Sequence, residues 1–303
     1  MAENPSQKEL KTVLVTGGTD GLGRAAAVML AERGYQVFGG GRNAERLGAL
    51  EQLARDRKLP LEALEMDVCD TASSERAIAE IERRAGAVEI LVNNAGIAIA
   101  AVMEEITSAD LHKVFETNLF SVVRLSQRVL PEMRRRRRGR IINMSSISGK
   151  MAIPVMGPYA ASKHALEAAS DAMRLEVYPF GVHVVLIEPG YIHTSMNRNA
   201  AELSSDYAKG AAQSPYGAIY QGFLGEWGKV RKASRYQPED CARVVVHAIE
   251  DHPPRARYAV TRRAKMGMLA RRILSDRALD NRFKKSFRLD EFRELLGRGG
   301  PRL

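Results

Sequence analysis

Tyr159 and Lys163 stand four residues apart in Pro-Tyr-Ala-Ala-Ser-Lys, and Ser146 lies thirteen residues before the tyrosine. On a helix that begins near Pro158, positions i and i+4 share one face, so a phenol and an ammonium are held side by side. A nearby cation favours phenolate over phenol, which suits proton transfer. A free tyrosine titrates near about 10, and moving that value by one pH unit takes about 1.4 kcal/mol. A Tyr and a Lys on an ordinary surface helix would show the same spacing. The pair therefore gains meaning only from the elements that position it.

Those elements alternate. Strands are expected at residues 12–15, 35–38, 61–66, 90–92, 140–144 and 182–187, with a short seventh at 258–260. Helical patterns fill the gaps, notably at 21–33, 108–137 and 158–178. Strands alternating with helices predict an α/β fold, a doubly wound parallel sheet of about seven strands with helices on both faces. Residues 196–236 break the pattern. They are rich in Ala, Gly, Ser and Tyr and hold the only tryptophan, Trp227. An insertion after the sixth strand lies at the carboxyl edge of the sheet, where ligands bind in such folds. It is read as a helical lid, the alternative being added helices with no gating role.

The first strand runs into Thr-Gly-Gly-Thr-Asp-Gly-Leu-Gly, residues 16–23, which opens a helix. Glycines here allow a tight turn and close approach of a pyrophosphate, and the helix N-terminus adds free N–H groups and positive potential. Gly17, Thr19, Gly21, Leu22 and Gly23 are the expected cofactor contacts of this turn. The second strand ends in Gly39-Gly40-Gly41-Arg42. A fold that prefers NAD usually places an acid there for the ribose 2′-hydroxyl. With Arg42 in that place, pairing with a 2′-phosphate is expected, and NADP(H) is favoured over NAD(H). Asp20 counts slightly against this, because an acid in the turn does not help to bind extra phosphate. Asp67 is placed to accept from the adenine amino group, with Val68 packed nearby. Asn93, Asn94, Ala95 and Gly96 end the fourth strand, where small and amide residues let a nucleotide pass.

Taken together, these motifs resemble the short-chain dehydrogenase/reductase family over nearly all of residues 10–260. The pattern is Thr-Gly-x-x-x-Gly-x-Gly at 16–23, Asn-Asn-Ala-Gly at 93–96, a lone Asn118, then Ser146, Tyr159 and Lys163, then Pro189-Gly190 with Thr194. The resemblance implies a Rossmann-type fold, an oxidoreductase acting on CH–OH groups, and a role for each position. Tyr159 would be the acid in reduction and the base in oxidation. Lys163 would lower its pKa and hold the ribose hydroxyls, and Ser146 would stabilise charge on the substrate oxygen. Asn118 would order a helix bend and a proton-relaying water. Pro189, Gly190, Ile192 and Thr194 would contact the cofactor. Residues 10–261 would form the dinucleotide-binding catalytic domain. The phrasing of 171–182 and 187–194 looks similar to the hydroxysteroid and retinol dehydrogenase branch, which implies a lipophilic alcohol or carbonyl as substrate. A homodimer or homotetramer, paired through the helices of 108–137 and 158–178, is implied as well. The alternative is a dinucleotide-binding regulator or scaffold without turnover.

Composition narrows the remaining classes. The chain has 303 residues, 45% of them hydrophobic, enough for one large domain or two small ones. No run approaches 18 apolar residues, so no membrane-spanning helix is expected, and the first residues lack the apolar core of a secretory signal. Cys69 and Cys241 show no metal spacing, no metal site is expected, and a reducing cytoplasmic compartment fits. Of the net charge of +10, residues 262–303 carry +8, from 13 Lys/Arg against 5 Asp/Glu. This extension is expected to be helical, with Met266, Leu269, Ala270 and Ile273, then Leu279, Phe283 and Phe287, at helical spacing. It is read as packed over the substrate cleft or a neighbouring subunit. The alternative is a basic amphipathic helix in weak contact with a membrane surface, so that the protein is cytoplasmic and peripheral. Arg134–Arg138 reads as a solvated helix end, and no nucleic-acid partner is expected, because few aromatics interleave with the basic residues for stacking. His193 has no carboxylate partner in view and is not assigned to catalysis. Met144, Met151, Met156 and Met196 flank the expected substrate side.

Overall fold

A computed structural model describes residues 11–297. Seven parallel strands form one sheet: β1 (Thr12–Thr16), β2 (Gln36–Gly41), β3 (Leu61–Glu65), β4 (Ile90–Asn93), β5 (Gly139–Met144), β6 (Val182–Glu188) and β7 (Arg257–Ala259). Their order is β3-β2-β1-β4-β5-β6-β7. The order reverses between β1 and β4, which pair from Val13 with Ile90 to Val15 with Val92. A crevice opens at such a reversal, outside the carboxyl ends of the strands.

The central strands are buried and largely apolar because both faces are covered. On one face α1 (Gly21–Glu32), α2 (Ala44–Arg57) and α10 (Pro238–Glu250) bury Leu30, Leu50 and Val245 against Val13, Val37 and Ile142. On the other, α3 (Thr71–Ala85), α5 (Ser121–Arg136) and α6 (Gly157–Val177) bury Ile78, Val129 and Val177 against Leu14, Leu91 and Ile141. The expected strand positions match to within one residue, except that β2 runs three residues further, to Gly41. The helix expected at 108–137 is broken instead. α4 (Ser108–Phe115) passes through a π turn, Glu116–Phe120, before α5 begins. Helical periodicity does not report a widened turn, whose cause lies in the partners of Asn118.

At the basic end of α5, Arg134, Arg135 and Arg137 are exposed, as a solvated helix end requires, and Arg136 and Arg138 are half-buried. Arg135 and Arg136 pair with Glu132, and Arg138 with Glu89. Arg140 is fully buried in β5 and donates to the carbonyls of Ala248 and Ile249 at the end of α10.

The insertion forms three helices, α7 (Ser195–Leu203), α8 (Ser205–Gly210) and α9 (Gly217–Ala233). They are tied to the segment after β4. The Tyr207 hydroxyl donates to Asp110 at 2.6 Å, that of Tyr220 to Glu105 at 2.7 Å, and that of Tyr216 to Glu104. Beyond β7 lie α11 (Arg262–Ile273), α12 (Asp276–Ser286) and α13 (Leu289–Gly297). Thr261 and Ser275 cap the first two, each accepting from the backbone N–H three residues on. Leu279 and Phe287 are buried, the latter beside Tyr220 and Phe223 of the insertion. The tail therefore packs against the insertion, as three short helices where a single helix was expected. Residues 298–303 lie outside the described residues.

Candidate active site

Ser146 follows β5 and opens a short 3-10 turn, Ile147–Gly149, its Oγ accepting from the Ser148 N–H at 3.0 Å. Pro158, in the first turn of α6, is at a position that favours helix initiation. Tyr159 and Lys163 then occupy successive turns of one helix face, 9% and 4% exposed. The Lys163 Nζ donates to the Met144 carbonyl at 2.8 Å and stands 5.8 Å from the centre of the Tyr159 ring. Behind them Asn118 is fully buried. Its Oδ1 accepts from the Ile97 N–H at 2.9 Å, and its Nδ2 donates to the Ile97 carbonyl at 2.9 Å and the Ser162 Oγ at 3.0 Å. Ser162 in turn donates to the Tyr159 carbonyl at 2.8 Å. Asn118 thus joins the segment after β4 to the turn of α6 that carries Tyr159 and Lys163, and the π turn is what aims it there.

The electrostatics differ in one respect from expectation. Burial pushes the Tyr159 phenol up, and a hydrogen bond with Ser146 pulls against it. Burial also lowers Lys163, to about 8, while Glu167 one turn further on holds it up. With Lys163 engaged by Met144, desolvation outweighs the expected lowering of the tyrosine by the lysine.

At the reversal point the chain makes a cradle that only glycine allows. Gly17 and Gly21 have φ of +62° and +52°. A Cβ on Gly23 would lie 2.2 Å from the Gly17 carbonyl oxygen and 2.3 Å from the Asn94 Nδ2. Asn94 Nδ2 donates to the Thr16 carbonyl at 2.9 Å, and the Asn94 and Ala95 N–H groups both donate to the Thr16 Oγ1 at 3.0 Å. The donor-rich turn at the N-terminus of α1, with no Cβ in the way, fits a pyrophosphate.

A cavity of about 920 Å³ runs from this cradle to the insertion. It is lined by every residue expected to bind or react except Gly23 and Asn118, which sit behind its wall. Ser146, Tyr159 and Lys163 share it with Gly17, Thr19, Gly21 and Leu22, with Arg42, Asp67 and Val68, and with Asn94, Ala95 and Gly96. Pro189, Gly190, Ile192 and Thr194 close the far side, and Met144, Met151, Met156 and Met196 lie along it. His193 is not in the lining, and its Nε2 is 3.1 Å from the Ser234 carbonyl.

Several lining residues escaped the sequence reading. Arg46, on α2, reaches the Asp20 carboxylate at 2.7 Å. Asp20 itself caps α1 by accepting from the Gly21 N–H at 2.7 Å, so the acid in the turn has a structural employment. Asp67 accepts from the Cys69 N–H at 2.9 Å and pairs with Arg42 at 3.2 Å. Arg263, Arg282, Phe283 and Phe287 bring the tail into the cavity wall. The spacing of Arg46, one turn beyond Arg42, left a signal in the sequence. For the tail, Phe283 and Phe287 stand at helical spacing in a segment read as packed over the cleft, but nothing local singles out Arg263 or Arg282 as lining residues.

The short chain dehydrogenase family model matches residues 11–204. A 3-ketodihydrosphingosine reductase of Bacteroides thetaiotaomicron is 40% identical over 202 residues, 65% of this chain and 71% of that protein. An NADPH-dependent 3-dehydrocapnine reductase of Ornithobacterium rhinotracheale is 31% identical over 92% of this chain and 98% of its own. Among solved structures, a gluconate 5-dehydrogenase from Burkholderia cenocepacia, in complex with NADP and tartrate, superposes with a TM-score of 0.69. It is 26% identical, over 88% of this chain and 99% of that one. The chain belongs to the short-chain dehydrogenase/reductase family. It is an NAD(P)-dependent oxidoreductase acting on CH–OH groups.

Proposed function

We propose that the protein interconverts a lipophilic alcohol and its carbonyl partner with NADP(H), using Ser146, Tyr159 and Lys163. The observation that carries this reading is that the three side chains and the glycine cradle line one cavity. The nicotinamide, when bound, supplies or takes up the hydride. The chain's own residues do the rest. The Tyr159 hydroxyl gives its proton to the substrate oxygen in reduction and takes it back in oxidation. The Ser146 hydroxyl donates to the same oxygen as charge builds there. Lys163 keeps a positive charge beside the phenol and holds the cofactor's ribose, and Asn118 holds the helix turn that aims both.

Arg42 at the end of β2, with Arg46 one turn later, supports NADP(H), since paired guanidinium groups suit a 2′-phosphate. An NADPH-dependent relative and a neighbour solved with NADP point the same way. A lipophilic substrate is supported by the methionines and by Ile153, Val155, Phe223 and Trp227 along the cavity. The two reductase relatives carry names that place a carbonyl at position 3 of their substrates, and we propose a ketone of this kind, reduced beside an apolar chain. Phe120 in the π turn before α5, Leu175 on α6 and Tyr178 in the turn after it are exposed, which supports pairing of two copies through these helices. α11 supports peripheral membrane contact, because Met266, Leu269 and Ile273 are exposed on it among five Arg/Lys residues and no acid. No helix among the described residues is long and apolar enough to cross a membrane. Two free cysteines, Cys69 exposed and Cys241 buried, fit a reducing cytoplasm.

The test is NADPH oxidation and NADP reduction across steroids, retinoids, fatty aldehydes and small ketones. Tyr159→Phe is expected to cut kcat by about 10²–10⁴-fold while NADPH binding persists. Near-normal turnover in Tyr159→Phe would overturn the mechanism. Tight NADPH binding with no turnover by the native protein on any of the panel would favour a dinucleotide-binding regulator.

A further inference from the structure

The tail brings two arginines into the cavity wall that the mechanism above does not use. Arg263 lies in the first turn of α11 and Arg282 in α12, and both line the cavity. Close packing fixes their places. Gly267 is one turn beyond Arg263 on the same face of α11. It lies against the segment after Ser146, where a Cβ would be 2.7 Å from the Ile147 Cδ1 and 2.9 Å from the Met151 Cε. Arg282, Phe283, Ser286 and Phe287 form one stripe along the end of α12, at positions i, i+1, i+4 and i+5, and all four line the cavity. Gly222 of α9 lets this stripe come close: a Cβ there would be 2.5 Å from the Phe287 carbonyl oxygen. Phe287 is buried in one cluster with Tyr159, Met156 and Phe223. Both arginines thus stand on the side of Ser146 and Tyr159, not on that of Arg42 and Arg46.

Most other charges of the lining are matched. Asp20 pairs with Arg46, Asp67 with Arg42, Glu116 with Arg124 and Glu226 with Lys229. Lys163 is engaged by the Met144 carbonyl. Lys113 of α4 has no ion pair among the described residues, but it belongs to the other side. Its carbonyl accepts from Thr117, whose hydroxyl is 3.3 Å from the Sγ of Cys69, next to Asp67 and Val68. Neither Arg263 nor Arg282 has an acid within ion-pair distance among the described residues. The wall on their side carries Met151, Ile153, Val155, Phe223 and Trp227. A guanidinium without an acid, beside an apolar wall, is complementary to an anion that arrives on an apolar chain.

We propose that Arg263 and Arg282 bind an anionic group of the substrate, a carboxylate, phosphate or sulfonate carried on an apolar chain, so that the substrate is an amphiphilic acid. The inference rests on the proposed function for which side of the cavity takes the substrate. The guanidinium fork meets two oxygens of such a group at once, through charge-assisted bonds. Both arginines are exposed, so their charge is held in water, at little desolvation cost, until the anion arrives. The tail then selects the substrate as well as covering it.

The test is binding, followed by the fluorescence of Trp227, the only tryptophan, which lines the cavity. The protein is first saturated with whichever of NADP and NAD binds more tightly, so that the sites for the cofactor's own phosphates are filled. Dodecyl phosphate and dodecanol are then titrated, each below the concentration at which it aggregates. Dodecyl phosphate should bind more tightly by about tenfold or more. Arg263→Gln with Arg282→Gln should abolish this preference. Arg277→Gln with Lys284→Gln, which removes two exposed charges of α12 outside the lining, should keep it. Equal Kd values for the two amphiphiles in the native protein would overturn the proposal. So would a preference that survives loss of the lining pair, or one lost equally in both double variants. Inorganic phosphate that binds as tightly as dodecyl phosphate would overturn the amphiphilic substrate in favour of a free anion. On whichever carbonyl compound the panel shows to be reduced, dodecyl phosphate should raise KM and leave kcat unchanged. A fall in kcat alone would place the anion outside the path of the substrate. The binding arms need no turnover, so a failed substrate search defeats the proposed function without touching the arginine pair.

Discussion

Arg42 and Arg46 reach the same end of the cavity from one turn of chain, and each is held by an acid, Asp67 and Asp20 respectively. Arg42 is the more exposed, with 70% of its side chain in solvent against 37% for Arg46. The pairs are surface pairs, worth about 0–1 kcal/mol each, so a dianionic phosphate competes easily with them. A charge-assisted bond to phosphate is worth about 1.5–3 kcal/mol. Arg46→Ala should therefore raise the Kd for NADPH by on the order of tenfold and leave that for NADH unchanged, by fluorescence titration of both. An equal change for the two cofactors would remove Arg46 from this role. Arg42 was legible in the sequence because it ends a strand whose partner position in such folds is known. Arg46 was not, because its reach back to Asp20 depends on where α2 starts and how it turns.

The turn between β1 and α1 shows how a segment can be specified almost completely by local chemistry. Gly17 and Gly21 carry left-handed φ values, and Gly23 faces backbone on one side and the Asn94 amide on the other. Neither the Gly17 carbonyl nor the Asn94 side chain, tied to Thr16, can retreat without opening the junction of β1 and β4. Gly23→Ala is expected to lower Tm and weaken NADPH binding at least tenfold, measured by thermal denaturation with and without cofactor. Native-like stabilisation by NADPH in this variant would contradict the cradle. The π turn at Glu116–Phe120 is the opposite case. Periodicity predicts one unbroken helix at 108–137, and the break is imposed by the bonds of Asn118 to Ile97 and Ser162, residues distant in the chain.

Across the molecule as a whole, the tail has two faces with different fates. α12 and the residue that ends it turn Leu279 and Phe287 inward, and Phe283 lines the cavity. α11 lays Ala264 inward and Gly267 against Ile147 and Met151, leaving Met266, Leu269 and Ile273 outward at 62%, 57% and 70% exposure. The native protein should bind vesicles containing phosphatidylglycerol more tightly than those of phosphatidylcholine alone. Leu269→Glu with Ile273→Glu should lower that binding at least tenfold in a flotation assay, with NADPH affinity unchanged. Binding that survives the double substitution would exclude this face as the contact.

Chemistry written in short stretches was readable without coordinates. The glycine turn, the end of β2, the Tyr-x-x-x-Lys spacing and the strand alternation each depend on neighbours a few residues away, and all fell where expected. Whatever depends on distant partners was not readable. A charge cluster one turn beyond Lys163 joins Lys150, Glu167, Glu188 and Arg257, from four segments that meet only when β6 and β7 pair beside α6. The raised Tyr159 phenol follows from burial, which is a property of the assembled core and not of the helix that carries the residue. Local spacing sets which groups can react. Desolvation and long-range pairing set the charge state in which they meet.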